Sequence, residues 1–253
     1  DDWPFNRLVY VVASEQIYHF KVLFYILKKL GFDWANDLYH LSYGLVNLPS
    51  GRMKSREGTI VDADDLIDEL HAASLKEIEE KGREEDVGDA DDVAEKIALA
   101  ALHYYLLNVA PVKDMLFNPE ESLSFTGNTG PYLQYMGARI ASILRKAEES
   151  GIAPDKSGEA VSLLSSESEW DLIKKLGDFP SVVAKAAEAL DPSVVAQYLY
   201  DVSKAFSKFY QQCPILAAEK TELVKGRLFL AECTLTVLKN AMYLVLVPYL
   251  EKM

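Results

Sequence analysis

The run Gly51-Arg52-Met53-Lys54-Ser55-Arg56-Glu57-Gly58 is the segment of this 253-residue chain whose residue types most directly suggest chemistry. Arg52, Lys54 and Arg56 place cations where clustered phosphate charge could be neutralised, and Ser55 adds a hydroxyl. Gly51 and Gly58 permit backbone conformations that bring amides close to an anion. Basic surface turns are common, so by itself the run reads first as a solvated turn and only second as a phosphate loop. Cys213 and Cys233 do not form a C-x-x-C pair and no histidine cluster accompanies them. They read as two buried small hydrophobes in a reducing cytosol rather than as zinc ligands or a disulfide. The carboxylates between Asp62 and Glu95 have no metal-loop spacing, and a solvated face explains them better.

The elements that must hold the basic run can be read around it. Arg7 to Ala13 is short, apolar and β-branched, as in a buried parallel strand. Tyr18, Val22, Tyr25, Ile26 and Lys29 then follow helical spacing up to a stop at Gly31. Leu38 to Val46 is expected to be a second strand, ending in the turn-rich Pro49-Ser50-Gly51. Residues 62–95 read as helix, exposed loop, helix. Beyond Val93 the spacing is helical throughout. Val195, Leu199, Val202, Phe206, Phe209 and Cys213 form one apolar stripe, and Leu228, Ala231, Leu235, Leu238, Met242 and Val245 another. Ile97, Ala101, Tyr104 and Val109 suggest a third helix, and Tyr135 to Ala147 a fourth that opens on the turn Gly127 to Pro131. Asp191-Pro192 opens the helix that Pro214 ends, and Gly151 to Ser168 reads as a connecting loop. No repeat of fixed period occurs. The fold expected is an α/β fragment followed by an all-α helical bundle.

Charge bounds the partners. The net charge is −13, and residues 62–95 contribute 15 acidic against 3 basic groups, leaving the rest nearly neutral and able to carry a local basic face. Charge alone does not point to RNA. The apolar stretch Leu228 to Val247 contains Glu232, Lys239 and Asn240, which argues against a membrane span. The chain opens on Asp1 without a basic signal run and without Met, which suggests a processed or excised piece.

The wording of four segments narrows the reading. Gly51 to Val61 (GRMKSREGTIV) resembles the second signature of class I aminoacyl-tRNA synthetases in its arginyl form, matching at Met53, Ser55, Arg56, Gly58, Thr59 and Val61. Val11 to Gln16 with His19-Phe20 resembles a strand-to-helix junction of the same family. Leu123 to Leu144 (LSFTGNTGPYLQYMGARIASIL) resembles the opening of a helix in the family's anticodon-binding bundle, and is the most specific match. Ala205 to Pro214 and the closing Pro248-Tyr249-Leu250-Glu251-Lys252-Met253 resemble two further family segments.

This resemblance to arginyl-tRNA synthetases implies the end of a Rossmann-type catalytic domain over 1–60, an acidic helical connector over 61–95 and an α-helical anticodon-binding domain over 96–253. It implies ATP-dependent attachment of arginine to tRNA(Arg) through arginyl-adenylate, with Mg²⁺ arriving on ATP and no tightly bound metal. Arg52, Met53, Lys54, Ser55 and Arg56 are implied as catalytic, and Gly51, Met53 and His19 as nucleotide contacts. For His19 a packed, hydrogen-bonded ring is an equal reading. Gln16 is implied to recognise arginine, where a neutral amide can orient a guanidinium or amino group without burying a second charge. Tyr135, Arg139, Tyr210 and Met253 are implied to meet the anticodon: rings can stack on unpaired bases, and a guanidinium can bind phosphate or a base edge. Tyr132 reads as a bundle residue. A cytoplasmic monomer is expected.

The sequence also departs from the family pattern. Arg52 stands for the usual Lys, Lys54 for the common Ser, and Glu57 for a frequent Lys, so one expected cation is missing. The run NAMYLVLVP differs from the family's Gly-Leu-x-Leu-Leu-Gly-Ile. The first class I signature, His-x-Gly-His, does not occur in the 253 residues. The chain alone is therefore expected to be inactive, with a natural end at Met253. The competing reading is a non-catalytic tRNA- or protein-interaction module derived from a synthetase. A cysteinyl-tRNA synthetase is disfavoured by LSFTGNTGPYLQY.

Overall fold

Residues 4–49, 62–80, 88–218 and 220–253 are described by the computed structural model. The basic run, with Gly51, Arg52, Met53, Lys54, Ser55 and Arg56, lies outside the described residues. The chain divides into two units, residues 1–60 with 109–118 and residues 61–108 with 119–253.

In the first unit, strand β1 (Leu8–Ala13) pairs in parallel with β2 (Leu38–Tyr43), Leu8 opposite Leu38 and Ala13 opposite Tyr43. Parallel neighbours need a crossover, and helix α1 (Ile17–Lys29) supplies it. Phe20 faces inward from α1. Its ring lies 5.1 Å from Tyr10 and stacks on His40 at 4.3 Å, while His40 Nε2 sits 2.8 Å from the Val12 carbonyl oxygen. Gly31 stops α1 at φ 85°. The amides of Gly31 and Phe32 donate back to the carbonyls of Lys28 and Leu27, the crossed pair of a Schellman cap.

The strand expected over Leu38 to Val46 is broken at Gly44. Strand β3 (Val46–Asn47) pairs instead with β4 (Met115–Leu116), in parallel and in a separate two-stranded sheet. The physical reason lies at Gly44. Its N–H donates to the Pro111 carbonyl at 2.7 Å, and a Cβ there would run into the Lys113 backbone. Leu45 N–H donates to Asp114 Oδ1 at 2.7 Å and fixes the same join.

The second unit contains α2 (Ala63–Glu80), α3 (Ala90–Leu107), the single turn α4 (Pro119–Ser122), α5 (Gly130–Glu149), α6 (Glu167–Gly177), α7 (Phe179–Ala189), α8 (Ser193–Gln212) and α9 (Thr221–Leu244). The two expected apolar stripes are all buried, those of α8 from Val195 to Cys213 and those of α9 from Leu228 to Val245. Leu133, Met136 and Ile140 of α5 and Tyr104 of α3 join them in one core. A smaller core gathers Ile78, Val93, Ala94, Ile97 and Leu250. Val109, expected in the third stripe, falls beyond the end of α3. The connecting stretch after Gly151 contains a 3-10 turn, Glu159–Leu163, pressed onto α9 where Gly226 leaves room for the Ala160 carbonyl. Cys213 is buried, but Cys233 is only partly so, which corrects the expectation of two buried thiols. No helix among the described residues is long and apolar enough to cross a membrane.

One buried ion pair ties the helices together. Glu169, at the start of α6, accepts from Arg227 Nε at 2.7 Å and from the amides of Ser165 and Ser166. Arg227 also donates to the Pro214 carbonyl at 2.8 Å. With both carboxylate oxygens hydrogen-bonded, the pair is tolerable although Glu169 is buried; removal of one partner would strand the other.

Among the described residues, Schellman caps end helices at Gly31, Gly151, Leu190 and Leu246. Leucine in the left-handed region is strained by roughly 1–2 kcal/mol, where glycine is not. At Leu246 (φ 56°) the Val247 amide reaches the Met242 carbonyl, and the Leu246 carbonyl lies 2.7 Å from His103 Nδ1. Because the Leu246 side chain is 61% exposed, little burial is lost on its removal. Leu246→Gly is expected to raise the unfolding free energy by about 0.5–1 kcal/mol, and the mirror change Gly151→Leu to lower it by about 1–2 kcal/mol, both read from urea midpoints.

Candidate nucleic-acid interface

Helix α5 presents the residues of the most specific sequence match, and local geometry explains how that match builds the helix. Gly127 (φ 88°) turns the chain. The Asn128 side-chain oxygen lies 2.5 Å from the Tyr104 hydroxyl, which is also 2.9 Å from the Ala196 carbonyl. Thr129 is the N-cap: its Oγ1 accepts from the Tyr132 amide and donates to the Ser124 carbonyl. Gly130 lies so close to the Ala100 carbonyl of α3 that no Cβ would fit, and Pro131 takes the first turn, where its missing N–H costs nothing. Most of GNTGPYLQY therefore serves to start and seat a helix. Tyr132 belongs to this packing, half-buried and edge-on to Tyr200 at 6.0 Å.

The outward face of α5 is different. Tyr135, Ala138, Arg139, Ser142 and Arg145 follow the three- and four-residue spacing of one helical face, and with Lys252 and Met253 they line an open groove of about 430 Å³. Tyr135 is 39% exposed. The Arg139 guanidinium lies over the ring of Tyr210 on α8, 4.3 Å from its centroid, and Tyr210 in turn stacks on the core residue Phe206. A cation–π contact of this kind, here between two half-buried residues, holds a flexible guanidinium over a fixed ring. Three of the four predicted anticodon residues, Tyr135, Arg139 and Met253, thus line one groove, and Tyr210 backs the second of them. Sequence reading missed Arg145, Ser142 and Lys252. The signal for the first two was available, since they continue the same helical face at the same spacing. The signal for Lys252 was not, because it depends on the path of the last residues.

Three cationic side chains, Arg139, Arg145 and Lys252, line the groove, and no acidic side chain is among the described residues that line it. Beside it, Glu251 Oε1 lies 3.3 Å from Arg145 Nη1. A chain of net charge −13 therefore carries a local positive groove with an aromatic wall, the combination that holds single-stranded nucleic acid.

Gln16 and His19 lie in the first unit, where β1 passes into α1. Both are exposed; Gln16 stands at the N-cap of α1, and His19 sits edge-on to Phe20 at 5.6 Å. This is the carboxyl end of two parallel strands, where open α/β sheets bind ligands. Among the described residues no group of three or more His, Cys, Asp or Glu could hold a metal ion.

Comparison with known proteins defines the class. Residues 2–119 match the model of the class I (R) tRNA synthetase catalytic domain, and residues 133–253 match that of the DALR anticodon binding domain. The arginine–tRNA ligase of Treponema denticola is 64% identical over the whole chain, and those of Treponema pallidum and Borrelia hermsii are 56% and 48% identical. The chain spans 43% of the length of each. The Thermus thermophilus arginyl-tRNA synthetase structure superposes with a TM-score of 0.84 at 32% identity, covering 98% of this chain and 41% of that one. The Plasmodium falciparum arginyl-tRNA synthetase structure gives 0.78 at 26%, with the same coverage. The chain is thus a class I synthetase catalytic fragment joined to a DALR helical domain. It belongs to the arginyl-tRNA synthetase family.

Burial and the neighbouring Tyr200 and Asp201 push the Tyr104 phenol well above the usual tyrosine range. A group whose pKa is raised on folding stabilises the fold below its unfolded value, near pH 10, and that contribution fades as the pH climbs toward the folded value. Tyr104→Phe is expected to cost about 1–3 kcal/mol at neutral pH, because Asn128 and the Ala196 carbonyl lose their partner. The variant should also lose less stability than the parent between pH 10 and pH 11, measured by urea unfolding at each pH.

Proposed function

We propose that this chain is the part of an arginine–tRNA ligase that grips the anticodon loop and supplies one edge of the aminoacylation site. The observation that carries the proposal is the groove between α5 and residues 252–253. It sets Arg139, Arg145 and Lys252 beside the exposed Tyr135 ring, inside the residues that match the anticodon binding domain. Residues 96–253 form the anticodon-binding part, 61–95 an acidic helical connector and 1–60 the catalytic part. In the groove, Tyr135 stacks on an unpaired base, Arg139 and Arg145 take phosphate or a base edge, and Met253 packs against the loop.

The reaction of the whole protein joins arginine to ATP. The arginine carboxylate attacks the α-phosphorus in line, pyrophosphate leaves, and the arginyl group then passes to a hydroxyl of the terminal tRNA ribose. Such a step needs alignment and charge stabilisation more than a protein acid or base. Gln16 orients arginine, while His19, Gly51 and Met53 meet the nucleotide. Arg52, Lys54, Ser55 and Arg56 face the phosphates, and Mg²⁺ travels with ATP. The ligase is a cytoplasmic monomer.

Filter binding of tRNA(Arg) to the chain tests this reading. Arg139→Ala is expected to weaken binding roughly ten- to hundredfold, the 1–3 kcal/mol of a lost base or phosphate contact, and to flatten the salt dependence by about one unit of slope. Equal weak binding of every tRNA, unaffected by Arg139→Ala, would sink it. Arginine-dependent pyrophosphate exchange by the 253 residues alone is expected to be absent, because His-x-Gly-His does not occur in them.

A further inference from the structure

The groove has a wall that helix α5 does not supply, and the way this wall is held carries an inference that rests on the reading above. Lys252 and Met253 reach the groove at the end of the segment Pro248–Met253, which has no helix or strand to fix it. Four separate contacts fix it instead. Gln134 on α5 is fully buried, and its Nε2 donates to the Pro248 carbonyl at 2.8 Å and to the Lys96 carbonyl of α3 at 2.9 Å. The Tyr249 ring lies against Gly137, where a Cβ would come within 3.0 Å of it, and Lys239 Nζ caps the ring 4.1 Å from its centroid. Leu250 is buried with Ile78, Val93 and Ile97 in the smaller core. Arg145 Nη1 donates to both the carbonyl and the carboxylate of Glu251, each at 3.3 Å.

The pattern is ordered along the chain. Residues 134, 137 and 145 of α5 meet 248, 249 and 251 in turn, the first two beside the face that lines the groove and Arg145 on that face. One amide serves two carbonyls, so Gln134 fixes Pro248 relative to both α3 and α5. Glycine inside a helix costs about 1 kcal/mol relative to alanine. At Gly137 that cost coincides with close approach of the Tyr249 ring, whose Cε2 lies 3.0 Å from where a Cβ would stand.

We propose that Gln134 and Gly137 are positioning residues for RNA recognition: they touch no RNA, and act by clamping the segment 248–251 so that Lys252 and Met253 stand in the groove. The affinity of the groove for an anticodon loop then depends on residues buried behind it.

The test exploits opposite signs. Gly137→Ala restores helix propensity while pushing Tyr249 aside, so thermal stability should stay level or rise as tRNA(Arg) affinity falls roughly tenfold, a loss within the range of one displaced contact. Gln134→Leu, which strips the clamp of its donor, should lower affinity similarly. Both are measured by filter binding on the full chain. The pair Lys252→Ala and Met253→Ala provides the reference: with it in place, Gly137→Ala should cause no further loss. If Gly137→Ala binds tRNA as the parent does, or weakens binding equally with and without the alanine pair, the clamp is refuted. If the alanine pair leaves binding unchanged while Arg139→Ala lowers it, the clamp is likewise refuted; if neither change alters binding, the groove is not the RNA site and the broader reading fails instead.

Discussion

The seating of helix α5 against α3 is the constraint on which the second unit depends. Gly130 brings backbone against backbone at the Ala100 carbonyl, and no other residue type fits there. The Thr129 cap and the Tyr104–Asn128 contact fix the rotation of the helix about its axis. From that rotation follows the division of its faces. Leu133, Met136 and Ile140 enter the main core, Gln134 and Gly137 meet the closing segment, and Tyr135, Arg139 and Ser142 face outward. A shift of one residue would exchange these roles, so a short turn motif governs a surface that it does not itself form.

The electrostatics show why whole-chain charge was a poor guide. The acidic excess is concentrated in residues 62–95, part of which packs against Leu250 and Met253 through Ile78, Val93 and Ala94, and charges separated by more than about 8–10 Å in physiological salt are largely screened from one another. What an approaching polyanion meets is set within one such distance. There Arg139, Arg145 and Lys252 stand together, with Arg139 held over Tyr210 and Arg145 held by Glu251. These tethers restrict long side chains before any ligand arrives, which lowers the entropy lost on binding.

Much of this was legible in the sequence because it is periodic or local. The stripes of α8 and α9 and the stop at Gly31 follow from spacing and from the conformational freedom of single residues, whereas the outward pair Tyr135 and Arg139 was implied by the resemblance of Leu123 to Leu144 to a family segment. What was not legible depends on contacts between residues far apart in sequence. The break at Gly44 arises from the backbone near Pro111 and Lys113, and no property of residues 38–46 announces it. The caps at Leu190 and Leu246 go against local preference, so a rule that looks for glycine passes over them. Lys252 gains its place only through Gln134 and Gly137, more than a hundred residues earlier.

The pairing of β3 with β4 also bears on the order in which the chain can take shape. Asn47 and Leu116 are neighbours in a sheet, yet residues 62–108 are made between them. At synthesis rates of about 5–20 residues per second, Gly44 waits roughly 4–14 s for its partner near residue 113 to leave the ribosome. During that interval β1, α1 and β2 can associate, because they are contiguous, while the join at Gly44 stays open and exposed to solvent. The sequence of the α2–α3 pair is made within the same interval. A codon-level pause placed shortly after residue 116 would favour completion of the first unit, whereas one placed shortly before it would prolong the exposure of an unfinished sheet edge.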